Sequence, residues 1–182
     1  MDKLVELLHS HLPKDTIKSI DCAFEEVTLK AATDQWLQIA SILKNEPSLA
    51  FDVLIDICAV DYLHYGQSEW VTERSTFVGY SRATTQFKNE CATDRFVVVY
   101  HLLSITHNRR LRVAIPLQLP HLQIDSVIDL WPAADWFERE AYDLFGVVFQ
   151  GHPDLRRILT DYGFIGHPMR KDFPLCGEVE IR

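Results

Sequence analysis

Between Trp131 and Pro174 the chain reads WPAADWFEREAYDLFGVVFQGHPDLRRILTDYGFIGHPMRKDFP, an unbroken run of charged, aromatic, glycine and proline residues. From residue 146 onward lie five of the seven glycines and three of the eight prolines. Punctuation this dense prohibits long regular elements. Residues 146–182 are therefore expected to form an extended, turning tail. Just before it, Pro132 fits the first turn of a helix over 132–145, and Gly146 fits its C′ position. The triplets Gly151-His152-Pro153 and Gly166-His167-Pro168 read as two similar turns, since a repeat architecture needs three or more units.

The preceding residues carry the periodicities of a packed domain. Leu4, Leu8 and Leu12 recur at helical spacing, and Pro13 ends that stripe. A hairpin is expected around Phe24-Glu25-Glu26. Thr33 reads as the N-cap of a second helix with Trp36, Ile39, Ala40 and Leu43 on one face, closed by Pro47. A strand is expected over Ile55 to Tyr62. Residues 95–103 are apolar on both faces, as in a covered central strand. Residues 109–115 alternate, with Leu111, Val113 and Ile115 inward and Arg110, Arg112 and Ala114 outward, paired through a His107-Asn108 turn. Residues 64–94 lack a steady period and read as a long loop insertion. The fold class is α+β: a small, mostly antiparallel sheet with flanking helices over 1–145, followed by a partner-wrapping tail over 146–182.

Charge and motif content exclude several functions. A formal net charge of -8 leaves no basic face for nucleic acid or anionic lipid. No apolar stretch is long enough to span a bilayer. The N-terminus has no signal or transit pattern, so residence in a reducing bacterial cytoplasm is expected. Cys22, Cys58, Cys91 and Cys176 stand singly, whereas a cluster needs grouped thiolates. His152 and His167 lack zinc-ligand spacing, despite Asp154, Asp161 and Asp172 nearby. Neither a nucleotide loop nor a nucleophile elbow is present.

On a helix, Asp135, Arg139 and Asp143 are spaced for pairing along one face. Trp136, Glu140 and Asp143 form a neighbouring stripe, and Phe137, Ala141, Leu144 and Phe145 are assigned to the core. Carboxylates beside large aromatics demand Arg, Lys or backbone N–H partners. Three readings stay open. The charges form an internal network with Arg156, Arg157, Arg170 or Lys171; or they meet basic groups on a partner protein; or Glu138, Glu140, Asp143 and His152 do hydrolytic acid–base work. Ordering the tail costs roughly 1–2 kcal/mol per residue, which its sparse apolar side chains hardly offset. The tail is therefore expected to take its order from another chain.

The ordered set Glu138-Arg139-Glu140, Tyr142-Asp143-Leu144-Phe145-Gly146, Gly151-His152-Pro153-Asp154-Leu155-Arg156-Arg157-Ile158-Leu159 and Gly166-His167-Pro168, leading into Arg170-Lys171-Asp172-Phe173-Pro174, resembles the 30 kDa subunit family of respiratory complex I, the proton-translocating NADH:quinone oxidoreductase. The likeness extends loosely through Asp56 to Tyr62, Phe96 to Leu103 and Arg110 to Val113. It implies a non-catalytic subunit of the quinone-reducing module in the peripheral arm. The implied partners are the 49 kDa protein and the protein that holds the terminal cluster. The implied place is the cytoplasmic face of the bacterial inner membrane. FMN, iron–sulfur clusters and quinone would all sit on other subunits. Glu138, Arg139, Glu140, Asp143, Arg156, Arg157, Arg170 and Lys171 would serve assembly. The family also implies a shorter link than 64–94 and a tail running past Arg182. A related membrane-bound hydrogenase or oxidoreductase contains similar subunits and is the rival assembly.

Overall fold

The structure is a computed structural model that describes residues 2–63, 65 and 94–174. The expected insertion over 64–94 therefore falls almost wholly outside the described residues, as does the end of the tail.

A helix, α1 (Asp2–His11), leads into a hairpin of β1 (Ile17–Ala23) and β2 (Glu26–Ala31). Helix α2 (Trp36–Asn45), β3 (Val53–Asp61), β4 (Phe96–Ser104) and β5 (Arg109–Leu117) follow. The five strands form one sheet in the order β1-β2-β5-β4-β3. Only the β2–β5 pairing is parallel; the others are antiparallel. The class is thus α+β with a mostly antiparallel sheet, as the periodicities indicated.

Leu111, Val113 and Ile115 of β5 are buried, as alternation required, and Leu4, Leu8, Ile39, Ala40 and Leu43 join them. Trp36 and Tyr100 pack at the centre with ring centroids 4.2 Å apart. Burying each such large side chain stabilises by about 2 kcal/mol.

Two local expectations change. Thr33 does not cap α2. Residues Thr33–Gln35 form a 3-10 turn, and the Thr33 hydroxyl donates to the Pro116 carbonyl at 2.8 Å. A tertiary acceptor at the end of β5 outcompetes the local cap. Strand β3 also starts earlier than Ile55, because Val53 and Leu54 pair with Leu103 and Leu102.

A second, two-stranded sheet pairs β6 (Gln123–Asp125) with β7 (Val148–Gln150) in parallel. The two strands bracket α3 (Ala134–Phe145), which packs along the edge strand β3. Val147 and Phe149 belong to the hydrophobic core. The packed body therefore continues a few residues beyond Gly146, and the exposed tail starts near Gly151.

Candidate functional site

Helix α3 and the tail that folds back over it form the most chemically dense region. The helix starts with Asp135 in its first turn, favourable at the positive end of the dipole. It ends at Gly146, whose φ of 77° is the left-handed C′ conformation glycine permits. The last turn holds no basic residue of its own, and its free carbonyls need donors. The tail supplies them. His167 Nδ1 donates to the Asp143 carbonyl at 2.9 Å, Met169 N–H to Leu144 at 3.1 Å, and Arg170 Nε to Phe145 at 2.6 Å.

Asp143 is fully buried, and its carboxylate accepts five hydrogen bonds. Arg157 Nη1 donates at 2.7 Å and the Thr160 hydroxyl at 2.5 Å. The backbone N–H groups of Ile158, Leu159 and Thr160 donate at 3.0, 2.8 and 2.9 Å. Burial pushes the Asp143 carboxyl up, but the Thr160 hydroxyl and these three amides outweigh it. The group is held well below the usual carboxylate range. Arg157 also donates to the Gly166 carbonyl at 2.9 Å, linking both tail turns through one guanidinium.

Glu138 is equally buried and clamps the segment before α3. The Ser126 hydroxyl donates to it at 2.6 Å and Val127 N–H at 2.8 Å. Here burial wins over both donors, and its carboxyl is pushed up to about 7. The side assigned to the core holds: Ala141 is buried, Phe137 and Phe145 pack half-buried against the core, and Leu144 is half-buried. Glu138 is buried at the edge of that face, whereas Arg139 and Asp143, roughly half a turn from Ala141, are buried on the other side of the helix beneath the tail. The expected pairing of Arg139 with Asp135 or Asp143 is not made. Arg139 lies over the Trp136 ring at 5.2 Å and donates to the Arg156 carbonyl at 3.3 Å. Its two presumed partners are taken by tail residues: Asp143 by Arg157, and Asp135 by His152 at 3.2 Å.

The remaining motif residues fall into place around this network. Asp154 N–H donates to His152 Nδ1 at 3.0 Å, so the proton sits on Nε2, which faces Asp135. Asp154 pairs with Arg156 at 2.8 Å, out in solvent. Tyr142 meets His167 edge-on at 6.5 Å. Phe173 stacks on Phe164 at 5.9 Å. Pro168 is half-buried; Glu140, Pro153 and Pro174 are exposed. No group of three or more metal-ligating side chains occurs among the described residues.

Sequence reasoning missed the anchor of the far end of the tail. Asp61, at the end of β3, accepts a bidentate pair from Arg95 at 2.9 and 2.8 Å. It also accepts the backbone N–H of Lys171 at 2.9 Å, and Arg95 reaches on to Asp172 at 2.9 Å. Burial raises the Asp61 carboxyl, but the Arg95 fork and the amides of Lys171 and Leu63 more than reverse this. A signal was available: a carboxylate ending an apolar strand must find a cation, and Arg95 opens the neighbouring strand. Arg95→Lys keeps the charge but loses the fork. It is expected to lower stability by about 1 kcal/mol in urea titrations and to speed exchange at Lys171.

Gly146 also has no room for a side chain. A Cβ there would lie 2.5 Å from His167 Nε2 and press on Arg170. Gly146→Ala is expected to destabilise by about 1 kcal/mol from the backbone alone. Displacement of the two tail donors adds to that. An unchanged melting temperature would contradict this account of the cap.

The family model described as "Respiratory-chain NADH dehydrogenase, 30 Kd subunit" matches residues 29–179. The C subunit of NADH-quinone oxidoreductase from Legionella pneumophila (strain Paris) is 50% identical over 182 residues, covering 98% of this chain and 80% of that protein. The same protein of Hydrogenovibrio crunogenus is 51% identical over 177 residues, covering 92% and 78%. Among solved structures, the trypsin-resistant fragment (1-134) of Nqo5 aligns with a TM-score of 0.62 at 26% identity, over 85% of this chain and 98% of that one. A chain of the membrane-bound sulfane sulfur reductase, an archaeal respiratory membrane complex, shares the fold with a TM-score of 0.65 at 23% identity, over 95% and 86%.

Proposed function

The chain belongs to the family of the 30 kDa subunit of respiratory-chain NADH dehydrogenase, and from that premise we propose that it is a non-catalytic scaffold of the quinone module in the peripheral arm. It docks through the α3–tail face on the 49 kDa protein, beside the protein that holds the terminal cluster. FMN, iron–sulfur clusters and quinone reside on other subunits, and this chain supports electron transfer from NADH to quinone by holding their frame. Its place is peripheral, on the cytoplasmic face of the inner membrane. No helix among the described residues is long and apolar enough to cross a membrane.

One observation carries this reading. The buried carboxylates of α3 are consumed by structural donors, while the tail that Asp143 anchors leaves several of its apolar side chains exposed. Tyr162 is 88% and Ile165 91% exposed, with Leu159 and Met169 largely exposed beside them. General acid–base work needs a carboxylate free to meet a substrate, and Glu138 and Asp143 are not free. An exposed apolar patch on a polar scaffold suits a protein interface.

The test uses the assembled enzyme. Ile165→Asp is expected to leave the melting temperature of the isolated protein unchanged and to abolish co-purification with the 49 kDa protein from membranes. Hydrogen exchange should find the amides of Ile158, Leu159 and Thr160 protected even in the isolated chain, with residues 161–166 slowed only on assembly. Loss of NADH:quinone turnover in a complex that contains the Ile165 variant and is fully assembled would overturn the scaffold reading.

A further inference from the structure

At the opposite edge of the sheet from α3, the β1–β2 hairpin turns through Phe24 and Glu25 with φ of 52° and 64°. Two consecutive left-handed residues make the two-residue turn that suits the twist of a hairpin. That turn favours Asn, Asp and Gly, and a bulky aromatic residue there is an outlier. Phe24 is also 99% exposed, and Asp21, Cys22, Ala23, Glu25 and Glu26 around it are exposed as well. The tip thus carries backbone strain and a hydrated aromatic ring at once. Neither contributes to the core, and an Asn-Gly tip would have neither. Strain kept at a site with no packing return is a pointer to function.

Two ion pairs flank the tip. Lys30 pairs with Asp21 across the hairpin at 3.1 Å, and Arg112 of β5 pairs with Glu26. These pairs answer two of the three carboxylates. Glu25 has no ion pair among the described residues, so the rim of the tip is acidic. An acidic rim opposes anionic lipid and complements a basic one. We propose that Phe24 is the anchor of a second docking point, entering an apolar socket with a basic rim on another protein of the assembly. A single rigid aromatic surrounded by polar residues is the usual makeup of an interface hot spot. The proposal rests on the chain being part of a larger complex, but not on the α3–tail face, which lies across the sheet.

Phe24→Asn separates strain from binding, because Asn suits the left-handed region. The isolated variant is expected to melt at the same temperature as the parent or higher. Co-expressed with the parent chain, it should enter the purified complex about tenfold less. The native thiol beside the tip gives a readout without substitution. Cys22 is an exposed free cysteine, and its alkylation, followed by peptide mass spectrometry, should be about tenfold slower in the intact complex than in the isolated chain. Equal incorporation of Phe24→Asn, equal Cys22 reactivity, or a lower melting temperature for the variant would each overturn the proposal. Phe24-dependent binding of the isolated chain to lipid vesicles would overturn it too. Failure here with Ile165→Asp still blocking assembly would leave the first docking face standing.

Discussion

Asp143→Ala is expected to lower stability by about 3–5 kcal/mol and to release the tail, because removing one partner of a buried ion pair leaves the other uncompensated. Here the loss reaches further, because Arg157, the Thr160 hydroxyl and three successive backbone N–H groups all converge on this one carboxylate. Each donor withdrawn from water without an acceptor is costly. The tail has few apolar contacts of its own, so it detaches rather than repacks. Chemical denaturation measures the global loss, and limited proteolysis at Arg156 and Arg157 should become rapid. Asp143→Asn keeps one acceptor oxygen but turns an amide N–H₂ toward the other donors, so its loss should be smaller yet of the same kind. A variant that is as protease-resistant as the parent would refute the anchoring role. The acid limb follows the same logic. Asp143 and Asp61 have depressed folded-state values, so their contribution is complete above the ordinary carboxylate range. It is lost as pH falls through those depressed values.

Glu138→Gln should act in the opposite direction. Its carboxyl is raised from 4.5 to about 7, with burial as the main cause. For a raised group, stability is complete below the unfolded value and is lost as pH rises through the folded one. The parent therefore gives up stability between about pH 4.5 and 7, reaching roughly 3 kcal/mol above neutrality. Glutamine stays neutral, accepts from Val127 N–H and offers N–H₂ to the Ser126 hydroxyl. The variant should be more stable than the parent at about pH 8 and similar near pH 4.5. His167 contributes a contrary slope, since burial pushes its imidazole down. Its share is present above the unfolded histidine value and lost as pH falls. The difference between variant and parent, measured by urea titration across about pH 4.5–8, cancels that share. A pH-independent difference would show that Glu138 does not titrate in this window.

The helices of the N-terminal half, the alternation of β5 and the glycine that ends α3 were legible because each depends on residues within one turn or one strand. The ordered motif of α3 and the tail was legible as a family likeness. The chemistry inside the motif was not. Hydrophobicity placed Phe137, Ala141 and Phe145 toward the core, where they pack, but it did not show which carboxylates are buried, and helical spacing paired Arg139 with its helix neighbours. Folded, the helix buries Glu138, Arg139 and Asp143. The strand pair β6–β7 was likewise invisible, being two three-residue segments on either side of α3.

What the sequence determined by itself was therefore the class of fold, a consequence of local periodicity, and the family, through the likeness of one ordered motif. Only the tertiary structure decided which charged residues are buried and with whom. A carboxylate enters a core only when enough donors meet it there. Those of Asp143 arrive from a loop 14 residues and more downstream, and one of those of Asp61 from a backbone amide 110 residues away, separations that no local pattern encodes.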